Sequence, residues 1–115
     1  MGVTSIELFR SGNATSARLP DVRINGANAD VDIYVDPATG VEWVRANGKG
    51  ASTSDSIDRS WTGKIWRLPA GAAYPTTLLV FEDDPGHWVW EPTNDMQLAD
   101  YRAELATVNA LFVKI

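Results

Sequence analysis

The sequence contains no cysteine and a single histidine. Disulfides and thiolate metal sites are therefore excluded, and with one imidazole so are the usual zinc clusters. No run approaches the roughly 20 consecutive apolar residues that a membrane-crossing helix requires. The opening Met1-Gly2-Val3-Thr4-Ser5 carries neither the basic nor the apolar part of a secretory leader. Ile6 stands where an acylation signal needs Ser or Thr. Positive charge is also short: 10 Lys and Arg against 15 Asp and Glu give a net charge of −5. That balance argues against broad electrostatic capture of DNA or RNA. Phosphate-loop and dinucleotide fingerprints are missing, and no serine sits in a Gly-x-Ser-x-Gly elbow. A nucleotide bound here is not bound in Rossmann fashion.

What is present is a 115-residue chain, 44% apolar and 22% charged. That is one domain, 1–115, with enough apolar surface for one core. Ile6-Glu7-Leu8-Phe9-Arg10 predicts an opening strand with Ile6, Leu8 and Arg10 on one face. Residues 14–30 show no sustained period and read as an ordered, irregular loop. Val31 to Val35 and Val41 to Arg45 flank Asp36-Pro37-Ala38-Thr39-Gly40, whose Pro and Gly predict a hairpin turn. Ser54 or Asp55 is placed to cap a short helical turn through Arg59. Ile65 to Leu68 predicts a strand stopped by Pro69. Thr77-Leu78-Leu79-Val80-Phe81, the most apolar run, reads as a buried central strand that pairs with His87 to Glu91. Near the C-terminus, Asn94 with Gln97 resembles a capping box, and Leu98, Tyr101, Leu105, Val108 and Phe112 recur as one helical stripe.

Five tryptophans, Trp43, Trp61, Trp66, Trp88 and Trp90, are many for this length. Core packing is the ordinary use of such rings. Strand alternation puts Trp88 and Trp90 on one face and His87, Val89 and Glu91 on the other. The tryptophan face is the natural core face, which leaves His87 and Glu91 toward a cleft or solvent. Trp61, in the polar context Ser60-Trp61-Thr62-Gly63, is the candidate for an exposed stacking surface. Arg10 reads either as a surface ion-pair partner or as an anion clamp, since a guanidinium matches phosphate oxygens with paired hydrogen bonds. Arg45, Lys49, Arg59, Lys64 and Arg67 leave room for a local positive pocket. Ser52-Thr53-Ser54, led in by Gly48 and Gly50, reads either as a loop or cap or as hydroxyls brought close to a ligand. Glu82-Asp83-Asp84 reads as a solvated turn, and no metal site is expected.

The order of these segments is more specific than any one of them. Leu8-Phe9-Arg10, the glycine-led Ser52 with Asp55 three residues on, Trp66-Arg67-Leu68-Pro69-Ala70-Gly71 with Pro75 and Leu78, and His87 with Pro92 and Met96 follow one another in a recognisable spacing. The chain resembles the small NAD-dependent effector toxins of bacterial type VI secretion, which have an ADP-ribosyltransferase-like fold. The resemblance implies an α+β fold of two packed antiparallel sheets around a cleft, with peripheral helices and a C-terminal helix. It implies NAD as co-substrate, cleavage of the nicotinamide–ribose bond by ADP-ribosyl transfer or hydrolysis, and neutralisation by a cognate immunity protein. Arg10 would then hold phosphate or ribose. Ser52, with Thr53 or Ser54, would brace the nicotinamide-ribose side. Trp61 or Trp66 would stack on nicotinamide, and Glu91 or His87 would take the third catalytic place. The setting it implies is the cytoplasm of the producing cell, with delivery into that of a target bacterium. The strand His87-Trp88-Val89-Trp90-Glu91 lacks the Glu-x-Glu or Gln-x-Glu pair typical of ADP-ribosyltransferases. Two non-enzymatic alternatives stay open. One is a binding module that uses exposed tryptophans for a sugar or protein partner. The other is a subunit whose tryptophans anchor an interface.

Overall fold

Short segments separated by turn residues make strands the commonest regular structure of the chain. The computed structural model describes residues 1–115. Eleven strands and one helix follow in order: β1 (Gly2–Val3), β2 (Leu8–Gly12), β3 (Ile33–Val35), β4 (Glu42–Val44), β5 (Ala51–Ser54), β6 (Lys64–Leu68), β7 (Ala73–Tyr74), β8 (Leu78–Asp84), β9 (His87–Pro92), β10 (Met96–Gln97), α1 (Leu98–Asn109) and β11 (Val113–Lys114). The largest sheet has the order β11-β6-β2-β5-β9-β8; β10-β4-β3 and β1-β7 form two smaller ones. Every pairing is antiparallel.

Register decides which side chains meet. Leu8 opposes Leu68, and Ala51 opposes Trp90. All four are buried, Trp90 at 0% exposure. The helical stripe Leu98, Tyr101, Leu105 and Val108 completes the same core. The Tyr74 ring meets Trp90 edge-on at 5.3 Å. Tyr101 also acts as a wedge in the central sheet. Its hydroxyl accepts the Ala51 N–H at 3.0 Å and donates to the Trp90 carbonyl at 2.6 Å. It thereby relays a bond between two residues that are direct strand partners. Burial pushes its phenol pKa above the usual tyrosine range. Tyr101→Phe is expected to leave both backbone groups without a partner and to cost about 2 kcal/mol, read as a lower urea midpoint at constant slope.

The structure differs from the sequence expectations in four places. There are three sheets instead of two, and α1 is the only helix. Residues 51–54, with Ser54 among them, form β5 inside the large sheet, and Asp55, the other cap candidate, opens an irregular stretch through 59 that contains no helix. The Leu78 run is an edge strand, with Leu79 44% exposed. Its apolar residues cover the core from one side only. The capping box does not form: Gln97 is the N-cap, without a side-chain bond, because Met96 and Gln97 pair with Val44 and Trp43 as β10. Asp95 settles that entry through its neighbours, accepting the Ala46 N–H at 2.8 Å and the Tyr34 hydroxyl at 3.1 Å. Those bonds, the Ala46 N–H foremost, hold the Asp95 carboxyl below the usual carboxylate range.

Candidate active site

The site begins where two neighbouring strands part. β2 and β5 are adjacent in the sheet, yet Phe9 with Ser54 is their only paired position. β5 continues fully paired with β9, and β2 with β6. Past Phe9 the backbone groups of β5 that face β2 need another partner. Arg10 supplies it. Its Nη1 donates to the Ser52 carbonyl at 2.6 Å, its Nε to Ala17 O at 2.9 Å, and its Nη2 to Arg18 O at 2.9 Å. Three of the five N–H groups of a guanidinium are so engaged. Burial lowers the Arg10 pKa, partly offset by Asp30 and Asp21; the group remains cationic.

The loop that presents those carbonyls is itself fixed. Arg18 holds φ at 60°, the left-handed region that non-glycine residues rarely adopt. Asn109, at the end of α1, accepts the Leu19 N–H at 3.0 Å and donates to Ser16 Oγ at 3.2 Å. Trp66 Nε1 donates to Asn13 O at 2.8 Å. Arg10 is thus held in place from both sides, as a buttress between the split strands.

Ser52 sits at the centre. Three adjoining depressions share it. One, of about 310 Å³, lies against Phe9, Ser11, Trp61 and His87. A second, about 260 Å³, runs past His87, Asp83, Lys49 and Asn28. The third, also about 260 Å³, lies under Arg18, Arg23 and Asp30. The hydroxyls on either side of Ser52 are taken: Thr53 Oγ1 donates to Trp88 O at 3.0 Å and accepts from Trp90 Nε1 at 3.2 Å, while Ser54 Oγ donates to Gly86 O at 3.1 Å. Ser52 uses its carbonyl on Arg10, and its hydroxyl makes no hydrogen bond within the protein.

The glycine before this strand has a steric reason. A β-carbon on Gly50 would land on the Trp90 carbonyl group. Because the obstacle is backbone, Gly50→Ala is expected to push β5 off β9 and cost about 2–3 kcal/mol. Loss of amide-exchange protection at Ala51 and Thr53 would locate the damage; unchanged protection would contradict it.

The remaining sequence candidates separate. His87 lines the groove on both sides of Ser52, and its Nδ1 lies 2.6 Å from Asp83 Oδ1. Trp61 forms one wall. Glu91, on the same strand face as His87, is not part of the lining; its Oε2 accepts the Gly48 N–H at 2.7 Å and ties down the glycine-rich connection. Trp66 also lies outside the lining, packed on the core. Trp90 is buried and the other four tryptophans are half-buried, with Trp61 alone among them in the groove lining. Of the basic residues expected around a positive pocket, only Lys49 lines the groove. Arg18 and Arg23 replace the others, each in an ion pair, with Asp21 at 2.9 Å and Asp30 at 3.1 Å. They come from the aperiodic 14–30 loop, where nothing in the sequence pattern marked them. Asp83 was hidden in what reads as a solvated acidic turn.

No group of three or more His, Cys, Asp or Glu is arranged to hold a metal ion. No helix is long and apolar enough to cross a membrane. A family model described as Tse2 ADP-ribosyltransferase toxin matches residues 6–114. Neither the curated proteins nor the solved structures gave a match.

Proposed function

The chain belongs to the Tse2 ADP-ribosyltransferase toxin family, and from that membership we propose that it binds NAD in the groove around Ser52 and breaks the nicotinamide–ribose bond. The observation that carries this reading is the free Ser52 hydroxyl, centred among three joined depressions with Arg10 on one side and His87 on the other. An elongated dinucleotide suits a groove that is branched rather than a single closed cavity. Trp61 offers a flat apolar wall for a nicotinamide ring. Lys49, Arg18 and Arg23 offer cationic donors for phosphate oxygens at the other ends. Such binding requires Lys49, Arg18 or Arg23 to exchange its aspartate (Asp32, Asp21 or Asp30) for the ligand, which their exposed side chains allow.

Breaking the bond builds positive charge on the ribose, so groups that oppose that charge in the transition state, or take the acceptor's proton as it attacks, accelerate the reaction. In this reading Ser52 holds the ribose, and His87 takes the third catalytic place as the base for the acceptor. Glu91 serves the fold. Thr53 and Ser54 shape the strand that carries Ser52. The acceptor is water or a hydroxyl-bearing target in the cytoplasm of a competing bacterium, reached by type VI secretion. In the producing cell a cognate immunity protein covers the groove.

The test is induced expression in a bacterial host beside an NAD assay on the purified full chain. Growth arrest, with nicotinamide released from NAD in vitro, is the expected result. Falling cellular NAD would indicate hydrolysis, and steady NAD with labelled macromolecules a transfer. Normal growth and intact NAD from folded protein would overturn the proposal.

A further inference from the structure

The hairpin between β8 and β9 is not regular. Glu82 pairs with Trp88 and Asp84 with His87, which leaves Asp83 as an extra, unpaired residue. Such a bulge re-aims the side chain it carries. Here it turns the Asp83 carboxylate to 2.6 Å from His87 Nδ1. The turn that sets the bulge is fixed separately: Gly86 takes φ at 79° and donates its N–H to Glu82 Oε2 at 2.9 Å. Gly86 O in turn accepts from Ser54 Oγ and from the Asp55 N–H, which docks the hairpin tip on β5. Asp83 and His87 both line the depression that contains Ser52.

We propose that Asp83 is a positioning residue that, through its bulge, fixes the His87 ring with Nδ1–H directed at its carboxylate and Nε2 presented to the Ser52 groove. This rests on the NAD-cleaving function proposed above. An ionised carboxylate only accepts hydrogen bonds, so the proton between the two groups belongs to Nδ1. The other ring nitrogen is then the one available to a reacting group. In the reaction, the C–N bond between ribose and nicotinamide breaks and its electron pair leaves with the nicotinamide nitrogen. An acceptor O–H forms the new bond to that ribose carbon with an oxygen lone pair, and its proton passes to His87 Nε2. Asp83 keeps its negative charge and faces the imidazolium; it takes no proton. A histidine held this way supplies a base on a strand that carries no Glu-x-Glu or Gln-x-Glu pair.

His87 is the only histidine in the chain, so the ring nitrogens of ¹⁵N-labelled protein give one unambiguous pair of signals. The experiment compares wild type, Asp83→Asn, Asp83→Glu and His87→Gln by these signals and by steady-state NAD turnover. Wild type is expected to show a protonated Nδ1 in a single hydrogen-bonded state. In Asp83→Asn that preference is lost, kcat falls roughly 10-fold, and KM for NAD changes by less than about twofold. Asp83→Glu recovers part of the kcat. Asp83 lies on an exposed hairpin, and equal melting curves establish that the variants fold. Unchanged ring signals or an unchanged kcat in Asp83→Asn overturns the inference while leaving NAD cleavage standing. Folded wild type that turns over no NAD overturns the proposed function itself, and the ring signals tell the two failures apart.

Discussion

Replacing Arg10 with alanine is expected to unfold the protein before it tests any ligand. Three backbone carbonyls, of Ala17, Arg18 and Ser52, lose their donor at once. Bonds to a charged donor contribute about 1.5–3 kcal/mol each, so a combined loss of about 5 kcal/mol is expected. A domain of this size has a total stability of about 5–15 kcal/mol. The variant should therefore melt far below wild type or fail to accumulate. Arg10→Lys should not restore it, because one ammonium on a flexible stem cannot span three carbonyls held in a fixed fork. Thermal melts followed by circular dichroism, alongside toxicity on expression, decide the matter. A variant that melts normally but no longer binds NAD would show Arg10 to be a ligand clamp and not a buttress. The practical consequence is that loss of toxicity in Arg10→Ala is not, by itself, evidence about catalysis.

Removing the imidazole is expected to have the largest effect on turnover. If His87 is the base, His87→Gln should lower kcat by about 10²–10⁴-fold. Its melting curve should stay near that of wild type, because the side chain is half-exposed and is held mainly by Asp83. Glu91→Gln is the contrast. The amide oxygen can still accept the Gly48 N–H, so turnover close to wild type is expected. A collapse of kcat in Glu91→Gln with His87→Gln active would reverse the assignment and return the third place to the carboxylate. Both chemistries suit a bond that breaks with oxocarbenium character, and the two variants together distinguish them.

Where periodicity was local, the sequence alone was enough. The two-residue alternation in His87 to Glu91 sorted Trp88 and Trp90 to the core side and His87 to the groove. The turn residues Pro37 and Gly40 marked the hairpin that became β3 and β4, and the stripe from Leu98 to Val108 marked the helix. The glycine-led serine run is conspicuous, but its residues read as a loop, a cap or ligand-facing hydroxyls, and the structure makes 51–54 a central strand. A four-residue strand without apolar alternation carries little signal of its own; β5 exists because β9 pairs with it throughout. The same limit explains the helix start. Asn94 and Gln97 have the right spacing for a capping box, but strand pairing with β4 claimed Gln97 first.

The sequence by itself determined the residue types available for chemistry: no thiol, one imidazole, few cations and a serine preceded by glycines. It also determined, through family membership over residues 6–114, the class of protein. Tertiary structure decided how those residues are used. Arg10 and Ser52 are 42 positions apart, and their bond forms because β2 and β5 part after a single paired position. Asp83 reaches His87 because one residue bulges from a ladder, and Glu91 is drawn off to a glycine N–H. These are outcomes of strand register and of backbone groups that must find partners once buried. For Arg10 with Ser52 and Glu91 with Gly48, 42 and 43 positions apart, register arises between distant segments, so no window of sequence around either residue contains it.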